Sequence, residues 1–563
     1  MRSLQRRKCM IVVLALLGSF YFYFRHYIIE EKQDSVRPNH SVNKLHDPIN
    51  ITKEMKLRAL QTRDVKREIS ELWRAMNSGF ESVKTGRENA ANVKALLQER
   101  FQALTIEVKN LIAYDKTWQT KVADQAKEII KRKIESNQNP PDCETASVCM
   151  TSYSGCGFGC KVHMFEWVMS LSLFLNKVII FDNSSFGYTG NITNDPFKAI
   201  SPCQNQNYNR SDFRSMSCFL EECSFVNDGT VYSKTTGGDV IDEKFVYIHT
   251  KLRPRASGLK PRYTTVDFWS RLYSFHGNPK AWITGHHIRY ILRPKPVMED
   301  IIQKSEKNVN FSQPIVGIHI RRTDKLTMEG ENARFISLQQ YLPHVDQWYD
   351  KYDLSQRRKN ITIPTERRIY LATDDPSVWE ETKKLKGYKF FGFQNLARIA
   401  SNLTSRSTLF GLLGVVVDVT MLSKCDAMVC SLSSEVANLA FELRQTQHLD
   451  ASNDVIPLDL GYGYEFLVSR VHIAVYAHKA KVKATNETFD EIELMQGDIL
   501  FTITNWWNGF FNGINERTGE RGLYPTYKVK VHHNFNFEKF EHRINDLTET
   551  FGPSAGLANF AKA

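Results

Sequence analysis

The apolar positions of this chain change period twice, and each change marks a boundary. An unbroken apolar run extends from Cys9 to Phe24 and can stretch to Ile29 if Arg25 and His26 snorkel to an interface. Arg2, Arg6, Arg7 and Lys8 precede it. This predicts a cytoplasmic tail at 1–8 and a signal-anchor helix at 9–29, with the rest of the chain across the membrane. A cleaved leader would show small residues after its apolar core, whereas Phe20 to Phe24 are all bulky.

Between residues 30 and 140 the period is helical. No proline occurs between Pro48 and Pro140. Leu97, Phe101, Leu104, Val108 and Leu111 step by four and three, Trp118 and Val122 continue the register, and Ile129 closes it. Heptad spacing predicts a coiled-coil stem that pairs two chains into a homodimer, with an amphipathic hairpin folded on the body as the alternative.

From Cys143 onward short apolar runs alternate with helical stretches. Val178–Phe181, Pro314–Ile320, Arg368–Ala372 and Ala427–Cys430 read as strands, and Leu409–Leu422 as a helix. Such alternation predicts an α/β body over 141–470 built on a parallel sheet, with ligands beyond the carboxyl ends of its strands. Residues 471–533 change character again. Val471–His478, Met495–Ile499, Trp506–Gly509 and Gly522–Tyr527 follow the order and spacing of an SH3-like β-barrel. The tail, 534–563, gives no clear pattern.

The chain has 563 residues and a formal charge of +12. Residues 1–140 hold 26 Lys+Arg against 16 Asp+Glu, and the remainder holds 48 against 46. The basic excess therefore belongs to the tail and stem, which argues against nucleic acid as a partner. Asn-x-Ser/Thr occurs at Asn39, Asn50, Asn183, Asn191, Asn209, Asn310, Asn360, Asn402 and Asn486. Cys143, Cys149, Cys156, Cys160, Cys203, Cys218 and Cys223 cluster in 81 residues. Sequons and clustered cysteines together predict a lumenal, disulfide-stapled region in a secretory compartment. Cys156 and Cys160 have a tolerable zinc spacing, but no matching His/Cys pair follows.

The densest chemistry is the string His319-Ile320-Arg321-Arg322-Thr323-Asp324-Lys325. It leaves an apolar strand and delivers three cations at one point, which suits a phosphate-bearing ligand. Asp374 and Asp375 follow the strand Arg368–Ala372 and either order a loop or start a helix before Pro376. No Asp-x-Asp occurs, so no motif for a metal-held diphosphate is present.

These motifs together resemble the α-(1,6)-fucosyltransferase family that modifies the core of N-glycans. The resemblance is carried by His319–Lys325, Tyr370–Ser377, Asp418, Ser433-Ser434 after Cys430, and the run Gly155–Cys160. It extends over the anchor, stem, body and SH3-like module. It implies a GT-B-like fold with a Rossmann-like second lobe, a GDP-fucose donor, no cofactor or metal, and inversion at the anomeric carbon. The acceptor it implies is the 6-hydroxyl of the innermost N-acetylglucosamine, and the place is the Golgi membrane in a type II orientation.

The resemblance also assigns roles. Lys325 and Arg322 would stabilise the departing β-phosphate, and Arg321 would grip the diphosphate. His319 and Asp418 would read guanine. Tyr188, Ser434 and Glu435 would add donor contacts, and Asp324, Asp374, Asp375 and Tyr341 would order the loop or meet the acceptor. The base would be Glu329 or Glu331, with Glu331 preferred. The chain departs from the family in several places. The loop from Lys325 to Phe335 is about three residues longer than expected on this resemblance. Glu435 stands where glutamine is expected, Leu460 follows Asp459 in place of a second aspartate, Arg253–Pro261 is poorer in proline, and Trp506 replaces a histidine. Two other readings are a peptide O-fucosyltransferase-like enzyme and a Golgi sugar-binding scaffold without turnover.

Overall fold

The structure is a computed structural model. It describes residues 59–60, 62–63, 66–67, 69–70, 102, 105 and 116–532, except 152–155, 183–185, 189–194, 207, 220–221, 228–229, 237–242, 249–265, 327–334, 358, 362–363, 460–461, 463–469, 481–489 and 506–508. The tail, the anchor at 9–29, the heptad positions from Leu97 to Leu111, Gly155, Trp506 and the terminal tail lie outside the described residues. No helix among the described residues is long and apolar enough to cross a membrane. The described residues all fall within one compact unit, 51–563.

The first described helix, α1 (Lys116–Gln138), buries Trp118, Val122, Ala126, Ile130 and Ile134. The repeat here is four residues throughout, and Ile129, the expected closing position, is half-buried beside the buried Ile130. A four-residue step drifts by about 40° per turn on a 3.6-residue helix. The stripe therefore winds around α1 and follows the surface of its own chain, where the helix packs on α3 (Val266–Phe275) and α4 (Pro279–Ile291). This part of the stem takes the folded-back arrangement. Its last residue is tied into the body. Gln138 Oε1 accepts from the Ile179 amide at 2.9 Å and Gln138 Nε2 reaches Ser172 Oγ at 3.2 Å. An earlier stem residue, Arg63, donates to the carbonyls of Tyr273 and His276, at 2.9 and 2.6 Å, where α3 ends. Its guanidinium satisfies carbonyls that a helix terminus leaves open and complements the dipole there.

The first sheet has six strands in the order β2-β1-β6-β3-β4-β5. These are β1 (Val148–Thr151), β2 (Val178–Phe181), β3 (Arg214–Phe219), β4 (Glu222–Asn227), β5 (Thr230–Thr236) and β6 (Phe245–Ile248). The first four in space run parallel, and β4 and β5 add an antiparallel edge. The connection from β1 to β2 is α2 (Phe158–Leu175), which stops at Asn176 in the left-handed conformation with its amide on the Ser172 carbonyl. Two disulfides staple this region, Cys143–Cys203 and Cys156–Cys160. Cys149, expected in the stapled set, is instead a free thiol, fully buried within β1. Cys218 and Cys223 are direct partners across β3 and β4, and their side chains lie outside the described residues.

The second sheet is wholly parallel, with the order β11-β10-β7-β8-β9. It comprises β7 (Val316–Ile320), β8 (Arg367–Thr373), β9 (Tyr388–Phe391), β10 (Ala427–Cys430) and β11 (Val455–Pro457). Val316, Ile318 and Ile320 are fully buried against Ile369, Leu371 and Val429. Burial on both faces is why these strands read as continuous apolar runs. Around the sheet lie α5 (Pro296–Asn308), α6 (Leu338–Arg357), α7 (Ser377–Thr382), α8 (Gln394–Ser401), α9 (Leu403–Arg406), α10 (Leu409–Lys424) and α11 (Glu435–Gln445). The sequence places α10 well because Thr408 caps it, its hydroxyl accepting from the Gly411 amide at 3.3 Å.

A third sheet follows, antiparallel, in the order β15-β14-β13-β12-β16. It is formed by β12 (Arg470–Ala474), β13 (Ile499–Asn505), β14 (Phe510–Asn515), β15 (Arg521–Pro525) and β16 (Val529–Val531) around a core containing Leu494, Leu500, Phe511 and Tyr524.

Candidate active site

In chain order the second sheet runs 5-4-1-2-3. Its first strand, β7, lies between β8 on one side and β10 on the other. The winding direction reverses there, and in an open parallel sheet the crevice at such a reversal, at the carboxyl ends, is where ligands bind. The segments that leave those ends are Arg321–Leu326 after β7, Asp374-Asp375 after β8, Ser431–Ser434 after β10 and Leu458-Asp459 after β11. The topology thus gathers four of the segments singled out from the sequence.

Asp374 knits the β7 loop together. Its carboxylate accepts from the Arg322 amide at 2.8 Å, from an Arg321 guanidinium N–H and from the Thr323 hydroxyl. Arg321 also pairs with Asp324 at 2.7 Å. Asp375 performs the helix-start role instead, accepting from the Ser377 amide at 2.9 Å and its hydroxyl at 2.7 Å.

Arg322 is only 3% exposed. Its Nε and one terminal nitrogen donate to the Ile336 carbonyl at 3.2 and 2.8 Å. The other terminal nitrogen meets Glu381 at 2.5 Å and Asp375 at 3.3 Å, and the plane lies 4.3 Å from the Phe335 ring centre. Glu381 holds Arg322 with one oxygen and the Leu338 amide with the other, at 3.2 Å. Arg322 and Glu381 therefore fasten together the two ends of the loop 327–334. Glu329 and Glu331 belong to that loop and lie outside the described residues.

Asp324 is clamped from the far side by Arg406 on α9, with two bonds at 2.9 and 2.7 Å. The Arg406 fork, with Arg321, outweighs burial and holds the Asp324 carboxyl well below the usual carboxylate range. Lys325 stands in the short 3-10 turn Asp324–Leu326.

His319 is buried next to the last residue of β7, and its Nδ1 has no hydrogen-bond partner among the described residues. Burial, aided by Arg321, pushes its imidazole down to about 3, so the ring is neutral. A buried, unpaired nitrogen is costly unless a ligand meets it. Asp418 on α10 accepts from the Tyr370 hydroxyl at 2.7 Å. Burial pushes this carboxyl up to about 7 against the Tyr370 bond.

The remaining candidates lie on several different elements. Tyr341 is fully buried and its hydroxyl meets Ser431 Oγ at 3.1 Å, so it supports the β10 turn from below. Ser434 closes that turn, with its amide on the Ser431 carbonyl at 3.1 Å, and precedes the first turn of α11, where Glu435 sits. Tyr188 lies under Lys161 Nζ, 4.0 Å from its ring centre. Sequence reasoning missed Glu381 and Arg406. Each lies far along the chain from its partner, and no local motif marks either.

The arrangement offers guanidinium groups held in place by carboxylates at the end of β7, a neutral ring nitrogen and a proton-binding carboxyl. It suits an anionic ligand that also carries hydrogen-bonding groups. The family model for the α-(1,6)-fucosyltransferase N- and catalytic domains matches residues 24–462. The α-(1,6)-fucosyltransferase of Drosophila melanogaster is 28% identical over 484 residues, which cover 83% of this chain and 72% of the fly protein. That of Caenorhabditis elegans is 28% identical over 411 residues, covering 71% of this chain and 66% of the worm protein. A solved structure of Arabidopsis thaliana FUT1 with GDP is 14% identical, covers 59% of this chain and 77% of its own, and superposes with a TM-score of 0.32. With a matched span that takes in the stem, the first sheet and the whole second sheet with its β7 loop, the chain belongs to the α-(1,6)-fucosyltransferase family and is a glycosyltransferase.

Proposed function

We propose that this chain moves fucose from GDP-fucose, with inversion, to the 6-hydroxyl of the innermost N-acetylglucosamine of N-glycans. The observation that carries the reading is the Arg321–Asp374–Arg322 cluster at the reversal point of a parallel sheet, in a chain of this family. The two sheets act as the lobes of a GT-B-like body and the third as an SH3-like module. GDP lies across the carboxyl ends of β7 and β10, with its diphosphate on Arg321 and Lys325. Arg322 holds the loop that brings Glu331 or Glu329 to the acceptor and adds its charge beneath the β-phosphate. Inversion requires in-line attack, so the base removes the 6-hydroxyl proton on the face opposite GDP, and protein cations receive the charge that develops on the leaving phosphate.

The test uses GDP-fucose, EDTA and a biantennary N-glycan with terminal N-acetylglucosamine, followed by mass spectrometry. Core fucose formed in EDTA and absent with Arg322→Ala is the expected result. Fucose found only on protein hydroxyls would replace the acceptor assigned here, and GDP binding without transfer to either would leave a sugar-binding scaffold.

His319 and Asp418 read guanine, the Asp418 carboxylate accepting from the base's N–H groups. Only its ionised form does so, and the carboxyl is half protonated at a pH of about 7. The KM for GDP-fucose is therefore expected to rise roughly tenfold per unit below pH 7, and Asp418→Asn to flatten that slope. A donor KM independent of pH between 5.5 and 8 would remove Asp418 from the site. For stability the sign is opposite: the raised carboxyl favours the fold at low pH, and that contribution is lost as pH rises from the ordinary carboxylate range through 7.

The chain is a single-pass type II Golgi protein with this body in the lumen. Two disulfides fit an oxidising compartment. Asn310 and Asn360 are exposed at the ends of α5 and α6, both at positive φ. Both are expected to carry glycans, so removal with an N-glycosidase should lower the apparent mass of the expressed chain. An unchanged mass, with thiol labelling of Cys156, would contradict the lumenal assignment. The stem pairs two chains through stem residues other than Arg63, Gln138 and the Trp118–Ile134 face, which already pack within the chain.

A further inference from the structure

The helix α11 leaves the donor crevice and runs between α2 and α4. It lies so close to both that side chains are excluded. A Cβ on Gly159 would stand 2.6 Å from Glu435 Cβ, and a Cβ on Gly285 would overlap the Glu442 carbonyl. At these same two residues of α11, one side chain of α2 crosses the gap. His163 Nε2 is 2.8 Å from Glu442 Oε2, and its Nδ1 is 2.7 Å from Glu435 Oε2. The second contact is an ion pair rather than an aligned hydrogen bond.

A carboxylate oxygen cannot donate to an imidazole nitrogen unless it is itself protonated. Two carboxylates, one beside each ring nitrogen, favour the imidazolium, because an ionised carboxylate oxygen only accepts. His163 is 9% exposed and Glu442 2%. Burial alone would lower the histidine, but the Glu442 and Glu435 charges outweigh it and hold it well above the usual range. The other groups around it are Glu166, one turn along α2 and paired with His287 of α4 at 2.8 Å, and Tyr462, whose hydroxyl donates to Glu442 Oε1 at 2.7 Å. Lys161 on α2 is directed away, to the Phe186 carbonyl.

We propose that His163 is a positioning residue for donor binding, an imidazolium that draws the Glu435 carboxylate away from the incoming diphosphate and fixes the start of α11. This rests on the donor reading given above. Glu435 stands in the first turn of α11, immediately after the Ser431–Ser434 turn at the crevice. A carboxylate there opposes an anionic ligand, and the effect is strong where water is scarce. Drawn toward His163, which it shares with Glu442, it acts as a fixed strut. With the cation removed, the same carboxylate repels the donor.

The experiment measures donor KM, kcat and melting temperature for His163→Gln and for His163→Gln with Glu435→Gln. The expected result is a donor KM raised at least tenfold in the single variant with kcat within about threefold. The double variant should return the KM to within about threefold of the unmodified enzyme, whether or not the melting temperature recovers. A KM that does not move in His163→Gln, or that the second substitution does not restore, overturns the proposal. Should His163→Gln fail to fold, nitrogen-15 spectra of the unmodified protein decide instead. Both ring nitrogens of His163 protonated at pH 7.5 is the expected result, and a neutral ring overturns it. Unmodified protein that neither binds GDP nor transfers fucose would defeat the donor reading itself, a result distinct from normal donor binding with an unmoved KM.

Discussion

Replacing Arg322 with alanine is expected to lower kcat/KM for fucose transfer by ~10³-fold or more, equivalent to ~4 kcal/mol of transition-state stabilisation. Two losses combine. The first is a cation beneath the position where charge develops on the leaving phosphate. The second is the clasp that closes the loop 327–334, because Arg322, just before the loop, holds Ile336, just after it, and is itself held by Glu381 and Asp375. Removing it leaves the partly exposed Glu381 with only the Leu338 amide, which costs about 1–3 kcal/mol of stability. The melting temperature should therefore fall together with activity. Arg322→Lys should restore little, since an ammonium cannot donate in two directions at once from a plane stacked on Phe335. Steady-state kinetics and thermal melts of the two variants check this. A lysine variant within tenfold of the unmodified enzyme would show that charge alone suffices.

The second large effect is expected from the loop itself. Glu331→Gln should lower kcat by ~10²–10⁴-fold, the range for a positioned base. Glutamine keeps the size and hydrogen-bonding reach of glutamate but does not take up the 6-hydroxyl proton. The donor KM should change by less than about threefold, because the base meets the acceptor and not GDP. Glu329→Gln is the matched control, and the larger kcat loss identifies the base. If both variants keep more than a tenth of the activity, general base catalysis from this loop is wrong. The comparison is interpretable because each variant keeps Arg322 and Glu381, the residues that fasten the loop.

Much of this was legible in the chain. Val316–Ile320, Arg367–Thr373 and Ala427–Cys430 form strands where apolar runs predict them, because strands buried on both faces leave an unambiguous pattern. The string from His319 to Lys325 stands at a carboxyl end because a parallel sheet places its connections there. Asp374 was legible as a loop-orderer for the same reason. What the chain could not show are the partners of those residues. Glu381 lies 59 positions from Arg322 and Arg406 lies 82 from Asp324, and no periodicity links them. The fate of the stem helix was equally hidden. Trp118 and Val122 suit a partner helix and a body surface alike, and the docking of Arg63 and Gln138 decides for the surface.

The sequence by itself determined the period of each segment, hence helix or strand, and the chemical types of the donor loop, because both depend on neighbours within a few residues. The tertiary structure alone decided which distant carboxylate holds which arginine, that Cys149 remains a thiol, and that His163 meets two glutamates across the gap between α2 and α11. Those outcomes depend on how helices and strands far apart in the chain are brought within 3 Å of each other, and that distance is set by packing.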